Sequence, residues 1–306
     1  MRPWFERKYL QKSHIKKISI NKLDFSYFML RHLKLLFFNL FQHTLEILPP
    51  KIACLLNNAR QTVKGRKIKF FYEKDKKLFK VEDHDLVMYF NEKMRGINTY
   101  SYGIKHRADS LADTYSLNLI KFSNNDVIID CGANFGDIYS WTLLNNLSVR
   151  YISFEPSPEE FRCIQLNCKD QANNNLALSN LIGNFTFYIK SDTGDSSLIE
   201  PAGGCHKKIK IKTITLDEYV ISKQIKKIKL FKLESEGSEP EILEGSKNII
   251  NRIEYIGVDG SPERGEKRET TIEYATNFLL KNGFELISIK SNNSYIKGLF
   301  KNKNFF

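Results

Sequence analysis

The chain has 306 residues, and its hydrophobic and charged fractions of 42% and 27% are those of an ordinary soluble protein. This length suits one full α/β domain plus an extra segment, or two small domains. The net charge of +12 is uneven, because residues 1–80 hold 19 Lys and Arg against 5 Asp and Glu, a net of +14, which leaves −2 for residues 81–306.

The cysteines and histidines argue against a disulfide frame and a metal site. The five cysteines are odd in number and contain no C-x-x-C pair, so we expect reduced thiols in a cytoplasmic protein. Residues 1–10 are charged and lack a long apolar core, which is not typical of a secretory signal. The six histidines are scattered without metal-ligand spacing, so we predict no metal.

The basic N-terminal segment begins with a predicted loose arm at residues 1–22. The apolar stretch Tyr27–Leu48 predicts a helix that Pro49 and Pro50 stop. Three basic residues interrupt it, Arg31, His32 and Lys34, so it does not match a membrane-spanning helix. We expect its apolar side to pack on the rest of the chain or on a second subunit, and the alternative is peripheral contact with the inner face of a membrane.

The remainder of this segment predicts a basic hairpin at residues 63–83 with Asp75 and Lys76 near its turn, followed by an ambiguous stretch. A helical pattern then covers Asp109–Ile120. We therefore predict an extension at residues 1–108 and a second domain at residues 109–306. No zinc-finger spacing, RNP signature or aromatic ladder accompanies the lysines, so we predict no nucleic-acid partner.

The stretch from Asp126 to Glu155 organises the second domain. The apolar run Val127–Ile129 ends in Asp130 and passes into a glycine turn, DCGANFG, before a helical pattern. Glycines let a turn approach a ligand closely, and the following helix presents unpaired N–H groups there. A second apolar run ends in Glu155, whose carboxylate can accept both hydroxyls of a ribose.

The turn distinguishes between two nucleotide-type ligands. A dinucleotide pyrophosphate favours G-x-G-x-x-G and no neighbouring anion. Asp130 would repel a pyrophosphate but suits an ammonium group, such as the methionine end of S-adenosylmethionine. The turn therefore favours a methyl donor.

Further strands and helices follow. The predicted elements are a helix from Ser157 and Pro158, a strand at Leu176–Leu178, a hairpin strand at Phe185–Lys190, a mobile polar loop at Ser191–Cys205, an edge strand at Ile209–Leu216, a strand at Ile228–Leu233, a helix capped by Ser238 and Glu241 and running to Ile250, a strand at Tyr255–Val258, a helix at Thr270–Lys281 and a terminal hairpin. This alternation predicts an α/β fold with a mainly parallel sheet and one antiparallel strand.

Polar residues occur where these strands end, at Asp130, Glu155, Ser179, Glu234 and Asp259. Ligands of such sheets bind beyond the carboxyl ends of the strands, so we expect these residues to share one edge. Lys232 is interpreted as a strand residue whose charged end reaches solvent.

The motifs VIIDCGANFGD, FEPSPEEF, NNNLALSN, TLDEY and KLESEGSEPEILEGS together resemble the FkbM family of S-adenosylmethionine-dependent methyltransferases, over about residues 109–290. The resemblance implies a Rossmann-like class I fold with a seven-stranded sheet and S-adenosylmethionine as cofactor. It implies that the methionine part lies near Asp130, Gly132, Asn134 and Gly136, the ribose near Glu155, and the adenine near Pro156 and Ser179. Two carboxylates depart from the family pattern, Glu234 in place of aspartate and Asp259 in place of glutamate.

The resemblance further implies methylation of a hydroxyl on a glycan or another small molecule. Glu234 and Glu236 are the candidate catalytic bases, with a structural role for Glu236 as the alternative. Ser196 and Ser197 match a loop near the acceptor, although generic loop polarity also explains them. Two alternatives remain: a nicotinamide dehydrogenase using the Y-x-x-x-K spacing of Tyr219 and Lys223, and a non-catalytic membrane-associated scaffold.

Overall fold

The computed structural model of the protein describes residues 22–190, 194 and 196–305. The predicted loose arm, apart from Lys22, and part of the predicted mobile loop at residues 191–205 lie outside the described residues. The chain divides into two compact units, and the boundary in the sequence lies between Ile47 and Leu48. Residues 48–108 therefore fall in the same unit as the residues that follow them, and the predicted boundary at residue 108 stays a prediction.

The first unit contains helix α1, Lys22–Ile47, as the apolar stretch before the proline pair predicts. The second unit begins with α2, Pro50–Val63, because proline fits the first turn of a helix, where its missing N–H is not needed. Within the described residues, no helix combines the length and the apolar character that crossing a membrane requires.

A small antiparallel sheet follows, formed by β1 (Lys69–Glu73), β2 (Leu78–Asp83) and β3 (Leu86–Phe90). This confirms the predicted hairpin, and the stretch left ambiguous supplies its third strand. The rings of Phe79 and Phe90 stack 5.5 Å apart on its buried side. The hairpin is therefore part of a core.

Two short helices connect this sheet to the rest of the unit, α3 (Lys93–Thr99) and α4 (Ile104–Thr114). The helix predicted at Asp109–Ile120 begins earlier and ends earlier, and a 3-10 turn covers Leu117–Leu119. Its start is fixed from a distance, because the Asp83 carboxylate accepts the Ile104 N–H at 2.8 Å. A pattern of apolar residues cannot reveal such a cap.

Strands and helices alternate from residue 127 onward. The first half contains β4 (Val127–Cys131), α5 (Asp137–Leu144), β5 (Arg150–Phe154), α6 (Pro158–Asn167), β6 (Ala172–Asn174), β7 (Ala177–Leu178), β8 (Gly183–Ile189) and β9 (Lys207–Ile214). The second half contains α7 (Leu216–Ser222), β10 (Ile228–Leu233), α8 (Glu239–Glu244), β11 (Ile253–Asp259), α9 (Ile272–Lys281), β12 (Phe284–Ser291) and β13 (Ile296–Asn302).

Seven strands form the central sheet in the order β12-β13-β11-β10-β4-β5-β6. Neighbouring strands from β11 to β6 pair in parallel, whereas β13 pairs antiparallel with both β11 and β12. The predicted mainly parallel sheet with one antiparallel strand is confirmed, and β13 is that strand.

The register of the parallel strands aligns their carboxyl ends. Cys131 pairs with Phe154 on one side and with Leu233 on the other, and Leu233 pairs with Val258. Gly132, Glu155, Glu234 and Asp259 therefore follow at one level, and Asp130 lies two residues deeper in the sheet. Chain order reverses on the two sides of β4, which is the position where open α/β sheets form a binding crevice.

Two local predictions are wrong. The strand predicted at Leu176–Leu178 is β7 of a separate sheet, β7-β9-β8, and the short polar β6 takes the edge of the central sheet. Ser179 therefore does not follow a central strand. Ser238 does precede α8, but its side chain makes no capping hydrogen bond, and Glu241 instead pairs with Arg264 at 2.6 Å, so the predicted capping box is absent.

Apolar layers cover both faces of the sheet. One layer includes Phe154, Phe231 and Phe278, and the other includes Ile128, Tyr151 and Trp141. Burial of such side chains contributes about 1.5–3 kcal/mol each, so these layers hold the strand ends in place.

Candidate active site

The glycine turn is packed tightly against neighbouring protein. Gly132 and Gly136 have φ of +70° and +86°, values that L-residues rarely adopt. A Cβ at Gly132 would overlap the Glu234 carbonyl oxygen, and one at Gly136 would overlap Cys168 Sγ. The glycines are required by this packing as well as by any ligand.

Glu155 joins the glycine turn to the loop after β5. Its Oε2 accepts the Asn134 N–H at 2.8 Å, and its Oε1 accepts the Ser157 N–H at 2.9 Å. Burial, and next the nearby Glu160 carboxylate, raise the pKa of Glu155 to about 8. Because a carboxylate has about four acceptor positions, this residue can still accept the two hydroxyls of a ribose.

Asn134 provides an open acceptor at the same turn. Its backbone is left-handed, with φ of +52°, and its buried Oδ1 has no hydrogen-bond partner among the described residues. Buried polar atoms normally have partners, so this oxygen fits a bound donor group such as an ammonium. The residues of the turn are thus compatible with the methionine end of S-adenosylmethionine.

Asp130 lies deeper than the turn and is only 1% exposed. Its carboxylate accepts the Tyr151 hydroxyl at 2.6 Å and pairs with Lys232 Nζ at 3.0 Å. Burial raises the pKa of Asp130, an effect that Lys232 opposes. The predicted contact of Asp130 with an ammonium group stays a prediction, and in the free protein the lysine takes that place.

The prediction that Lys232 reaches solvent is wrong, since it is 2% exposed. Its ammonium pairs with Asp130 and, at 2.9 Å, with Glu234, and it donates to the Gly132 carbonyl at 2.8 Å. Although burial lowers the pKa of a lysine, the two carboxylates raise the pKa of Lys232. This residue links the glycine turn to the end of β10.

The charges continue across the rim as an alternating chain. Glu234 pairs with Lys297 of β13 at 3.0 Å, and Lys297 pairs with Asp259 of β11 at 2.7 Å. Tyr115 accepts from Lys297 Nζ at 3.1 Å. The structure thus brings Asp130, Glu234 and Asp259 together through Lys232 and Lys297. The sequence patterns did not identify Lys297.

The two lysines set the proton affinity of Glu234. Burial alone would raise its pKa, but Lys232 and Lys297 hold the pKa of Glu234 well below the usual range. A carboxylate with a low pKa is a weak general base. Glu234 is therefore better suited to fixing the two lysines than to receiving a proton.

The loop after β10 is held by buried groups. Glu239 Oε1 accepts the N–H of Ser235 at 2.8 Å and that of Gly237 at 3.3 Å. Ser197, from the loop between β8 and β9, donates its hydroxyl to the Glu236 carbonyl at 2.8 Å. Ser197 therefore anchors the separate sheet to this loop, while Ser196 bonds the Lys190 N–H at 2.9 Å.

The segment before β4 covers the other side of the glycine turn. Arg107 of α4 donates Nε–H to Asp137 at 2.9 Å, and Tyr100 donates its hydroxyl to the same carboxylate at 2.9 Å. Asp137 is the first residue of α5, directly after Gly136. Arg107 and Tyr100 therefore hold the segment before β4 against the start of α5.

The remaining predicted residues contact other parts of the chain. The Pro156 carbonyl accepts the Asn175 side chain at 3.1 Å. Ser179 is buried, and its carbonyl packs against Gly245 at the end of α8. Their predicted contacts with adenine stay predictions. Tyr219 of the Y-x-x-x-K spacing is buried against Phe154, and its hydroxyl contacts Asn174 at 3.3 Å.

Comparison with known proteins identifies the domain. The model of the FkbM methyltransferase domain matches residues 130–286, just over half of the chain. The hexuronic acid methyltransferase AglP of Haloferax volcanii is 28% identical over 156 residues, which are 48% of this chain and 61% of that protein. This chain thus spans less than two thirds of the length of that curated relative.

Two solved structures are similar to part of this chain. TrmK of M. capricolum with S-adenosyl-homocysteine has a TM-score of 0.38, 16% identity, and coverage of 65% of this chain and 69% of that chain. Precorrin-6y C5,15-methyltransferase of Geobacter metallireducens has a TM-score of 0.38, 14% identity, and coverage of 64% and 88%.

The methyl donor of an FkbM methyltransferase domain is S-adenosylmethionine, and the glycine turn and Glu155 fit that compound. The match begins at Asp130 and includes Glu155, the end of β10 and the end of β11. This chain belongs to the FkbM methyltransferase domain family.

Proposed function

We propose that this protein transfers the methyl group of S-adenosylmethionine to a hydroxyl oxygen of a glycan or of another hydroxyl-bearing small molecule. The observation that carries the proposal is the position of Glu155, held by two backbone N–H groups and facing the glycine turn. A second acceptor, Asn134 Oδ1, lies at the same turn and has no hydrogen-bond partner in the part of the chain that the structure describes.

The charge of the rim supports a cationic donor. Asp130, Glu234 and Asp259 outnumber Lys232 and Lys297 in the alternating chain, so that chain is net negative. A buried negative field favours a sulfonium over a phosphate. In this proposal Asp130 does not contact the donor. It pairs with Lys232, and Lys232 holds the glycine turn in position.

The donor supplies an electrophilic methyl group when bound, and the protein supplies position. In-line attack by an oxygen requires the acceptor to be held close to that methyl, and such positioning contributes much of the rate. In this proposal the ribose lies on the β5 side of the crevice at β4, where Glu155 is, and the acceptor lies on the β10 and β11 side.

A neutral hydroxyl fits this side better than a carboxylate. Glu234, Glu236 and Asp259 lie there, and the neighbouring lysines are already paired. Like charges repel strongly at a buried rim, so an ionised uronate is disfavoured. The named activity of the Haloferax relative supports a sugar-type acceptor, and the rim favours one of its hydroxyls.

A hydroxyl acceptor loses its proton on methylation, so a base helps. Glu234 and Glu236 remain the proposed candidates, and the low pKa of Glu234 favours Glu236. Glu234 then has the role of orienting Lys232 and Lys297.

The test has two steps. Isothermal titration with S-adenosylhomocysteine should give binding at one site, and NAD should give none. Isotope-labelled S-adenosylmethionine is then incubated with methyl α-glucoside and with glucuronate. We expect an alkali-stable methyl ether on the neutral sugar. Absence of S-adenosylhomocysteine binding would refute donor use, and an alkali-labile ester on glucuronate alone would refute hydroxyl methylation.

A further inference from the structure

Two glutamates from adjacent loops meet at the acceptor side of the rim. Glu236 follows β10 and Glu263 follows β11, and the two carboxyl groups lie close enough to hydrogen-bond, a contact that opposes the rise in the pKa of Glu263. Two carboxyl groups can form such a bond only when they hold a proton between them. Both residues are partly exposed, and one carboxyl oxygen of Glu236, Oε2, is buried.

Glu236 is held in a backbone conformation that non-glycine residues seldom adopt, with φ of +53°. Its carbonyl accepts the buried Ser197 hydroxyl, and both neighbouring N–H groups bond Glu239. Such conformations persist where the surroundings over-determine them, and they cluster at functional sites.

The loop that carries Glu263 is pressed against the loop that carries Glu236. A Cβ added to Gly237 would lie 2.6 Å from Arg264 Cα. Arg264 also donates to the Gly237 carbonyl and forms a bidentate pair with Glu241, at 2.9 and 2.6 Å. Glu263 is the residue before Arg264, so these contacts determine where its carboxyl lies.

The charged groups around Glu263 are mostly negative. Besides Glu236, it faces Asp259 at the end of β11, Glu234 at the end of β10 and Glu239 at the start of α8. The neighbouring cations are engaged, since Lys297 pairs with Asp259 and Glu234, and Arg264 pairs with Glu241. Burial, and next these carboxylates, raise the pKa of Glu263 to about 8.

We propose that Glu236 and Glu263 share one proton and together receive the proton that the acceptor hydroxyl loses during methyl transfer. The inference rests on the proposed function and names its base. The stretch SPERGEKR around Glu263 carries no motif and resembles an ordinary polar turn, so Glu263 was not among the predicted site residues.

The step is balanced without a co-reactant. An acceptor oxygen lone pair forms the new O–C bond to the donor methyl, and the C–S bond breaks with its electrons remaining on sulfur. The hydroxyl proton passes to the ionised member of the pair, which leaves both carboxyl groups neutral. One proton then returns to solvent.

The pair is a better base than Glu234 for two reasons. Glu234 is tied to two lysines, whereas no lysine or arginine is paired with Glu263 in the described part of the chain. A base is most effective when its pKa is near the working pH, and two interacting carboxyl groups together titrate over a wide range.

The test compares Glu263→Gln with Glu266→Gln, an exposed glutamate in the same loop. Proton release on binding is measured at pH 8 by titration calorimetry in buffers of different ionisation enthalpy. In the wild type, S-adenosylmethionine should release more protons than S-adenosylhomocysteine, because its sulfonium charge lies against the pair. Glu266→Gln should keep this difference, and Glu263→Gln should abolish it while the Kd for S-adenosylhomocysteine stays within about threefold.

The outcomes separate the two proposals. Failure of the wild-type protein to bind S-adenosylhomocysteine would refute the proposed function. Two other results would overturn only the shared-proton pair. One is normal S-adenosylhomocysteine binding with equal proton release for S-adenosylmethionine and S-adenosylhomocysteine. The other is a difference in proton release that remains in the Glu263→Gln variant. In methyl transfer to methyl α-glucoside, Glu263→Gln should lower turnover by about a hundredfold or more, and unchanged turnover would also overturn it.

Discussion

Lys232 lies inside the central sheet, between two apolar residues of β10, and carries a charge that two carboxylates compensate. Its neighbours in the sequence, Phe231 and Leu233, are both fully buried. The prediction that β10 is a buried strand is confirmed. The polarity of a lysine side chain suggested that the charged end of Lys232 reaches solvent, and that part of the prediction is wrong. The partners that keep it inside, Asp130 and Glu234, are near it only after the strands pair.

Replacing Lys232 by methionine should be costly, because the buried Asp130 would lose its cation and Glu234 would keep only Lys297. We expect a loss of about 3–5 kcal/mol in the free energy of unfolding, measured by urea denaturation. Lys229→Met is the control, since Lys229 of the same strand pairs with Glu254 near the surface and should cost about 1 kcal/mol or less. Equal losses in both variants would contradict the role assigned to the buried pair.

The pKa of Glu155, raised to about 8, makes the stability of the free protein depend on pH. Between its ordinary pKa and this value, the unfolded chain is ionised while the folded protein keeps the proton. The unfolded state then binds fewer protons, so the free energy of unfolding falls as pH rises from about 5 to about 8. Melting temperatures should fall over this range, and less steeply in Glu155→Gln. The exposed Glu159→Gln should leave the slope unchanged, and an unaltered slope in Glu155→Gln would contradict the assignment.

At the scale of elements, the glycine turn and the loop after β10 behave as one unit. The turn touches the Glu234 carbonyl at Gly132, and Lys232 donates to the Gly132 carbonyl. Movement of the β10 loop would therefore move the donor turn. This connects the predicted cofactor residues on β4 with the predicted base on the next strand.

Gly132→Ala tests that contact. The new methyl group would overlap the Glu234 carbonyl, so we expect at least a tenfold loss of S-adenosylhomocysteine affinity by calorimetry, together with lower stability. Gly65→Ala is the matched control, since Gly65 has nearly the same φ, +68° against +70°, but has open space around it. It should cost only the strain of a left-handed residue, about 1–2 kcal/mol, and leave affinity unchanged. A Gly132→Ala protein that binds as well as Gly65→Ala would disprove the coupling.

The sequence predicted the elements that have strong local patterns. The ends of β4, β5, β10 and β11 were located because each strand is a short apolar run followed by a polar residue. It did not predict β6, whose residues Ala172–Asn174 are mostly polar, and it assigned β7 to the wrong sheet. Lys297 and Glu263 were missed for the same reason, since their roles come from contacts between distant strands and loops.

At the scale of the whole molecule, charge is divided between a basic N-terminal segment and an acidic rim. Residues 1–80 carry a net +14, and helix α1 has exposed apolar side chains, among them Phe37 and Leu40. A helix with apolar side chains near basic residues binds anionic lipid surfaces through both features. The membrane alternative from the sequence therefore leads to a direct experiment on the full chain.

We predict that the protein sediments with vesicles containing phosphatidylglycerol but not with pure phosphatidylcholine vesicles, and that added salt weakens the binding. The charge contribution falls with ionic strength because the Debye length shortens from about 10 Å at 0.1 M to about 3 Å at 1 M. Phe37→Asp with Leu40→Asp should abolish binding, since both side chains are exposed on α1. Ile182→Asp, which changes an exposed apolar residue between β7 and β8, should not. A different result would assign α1 to contact with a second copy of the chain. In that case the wild-type protein would bind neither kind of vesicle and would sediment as a dimer, and the α1 double variant would sediment as a monomer.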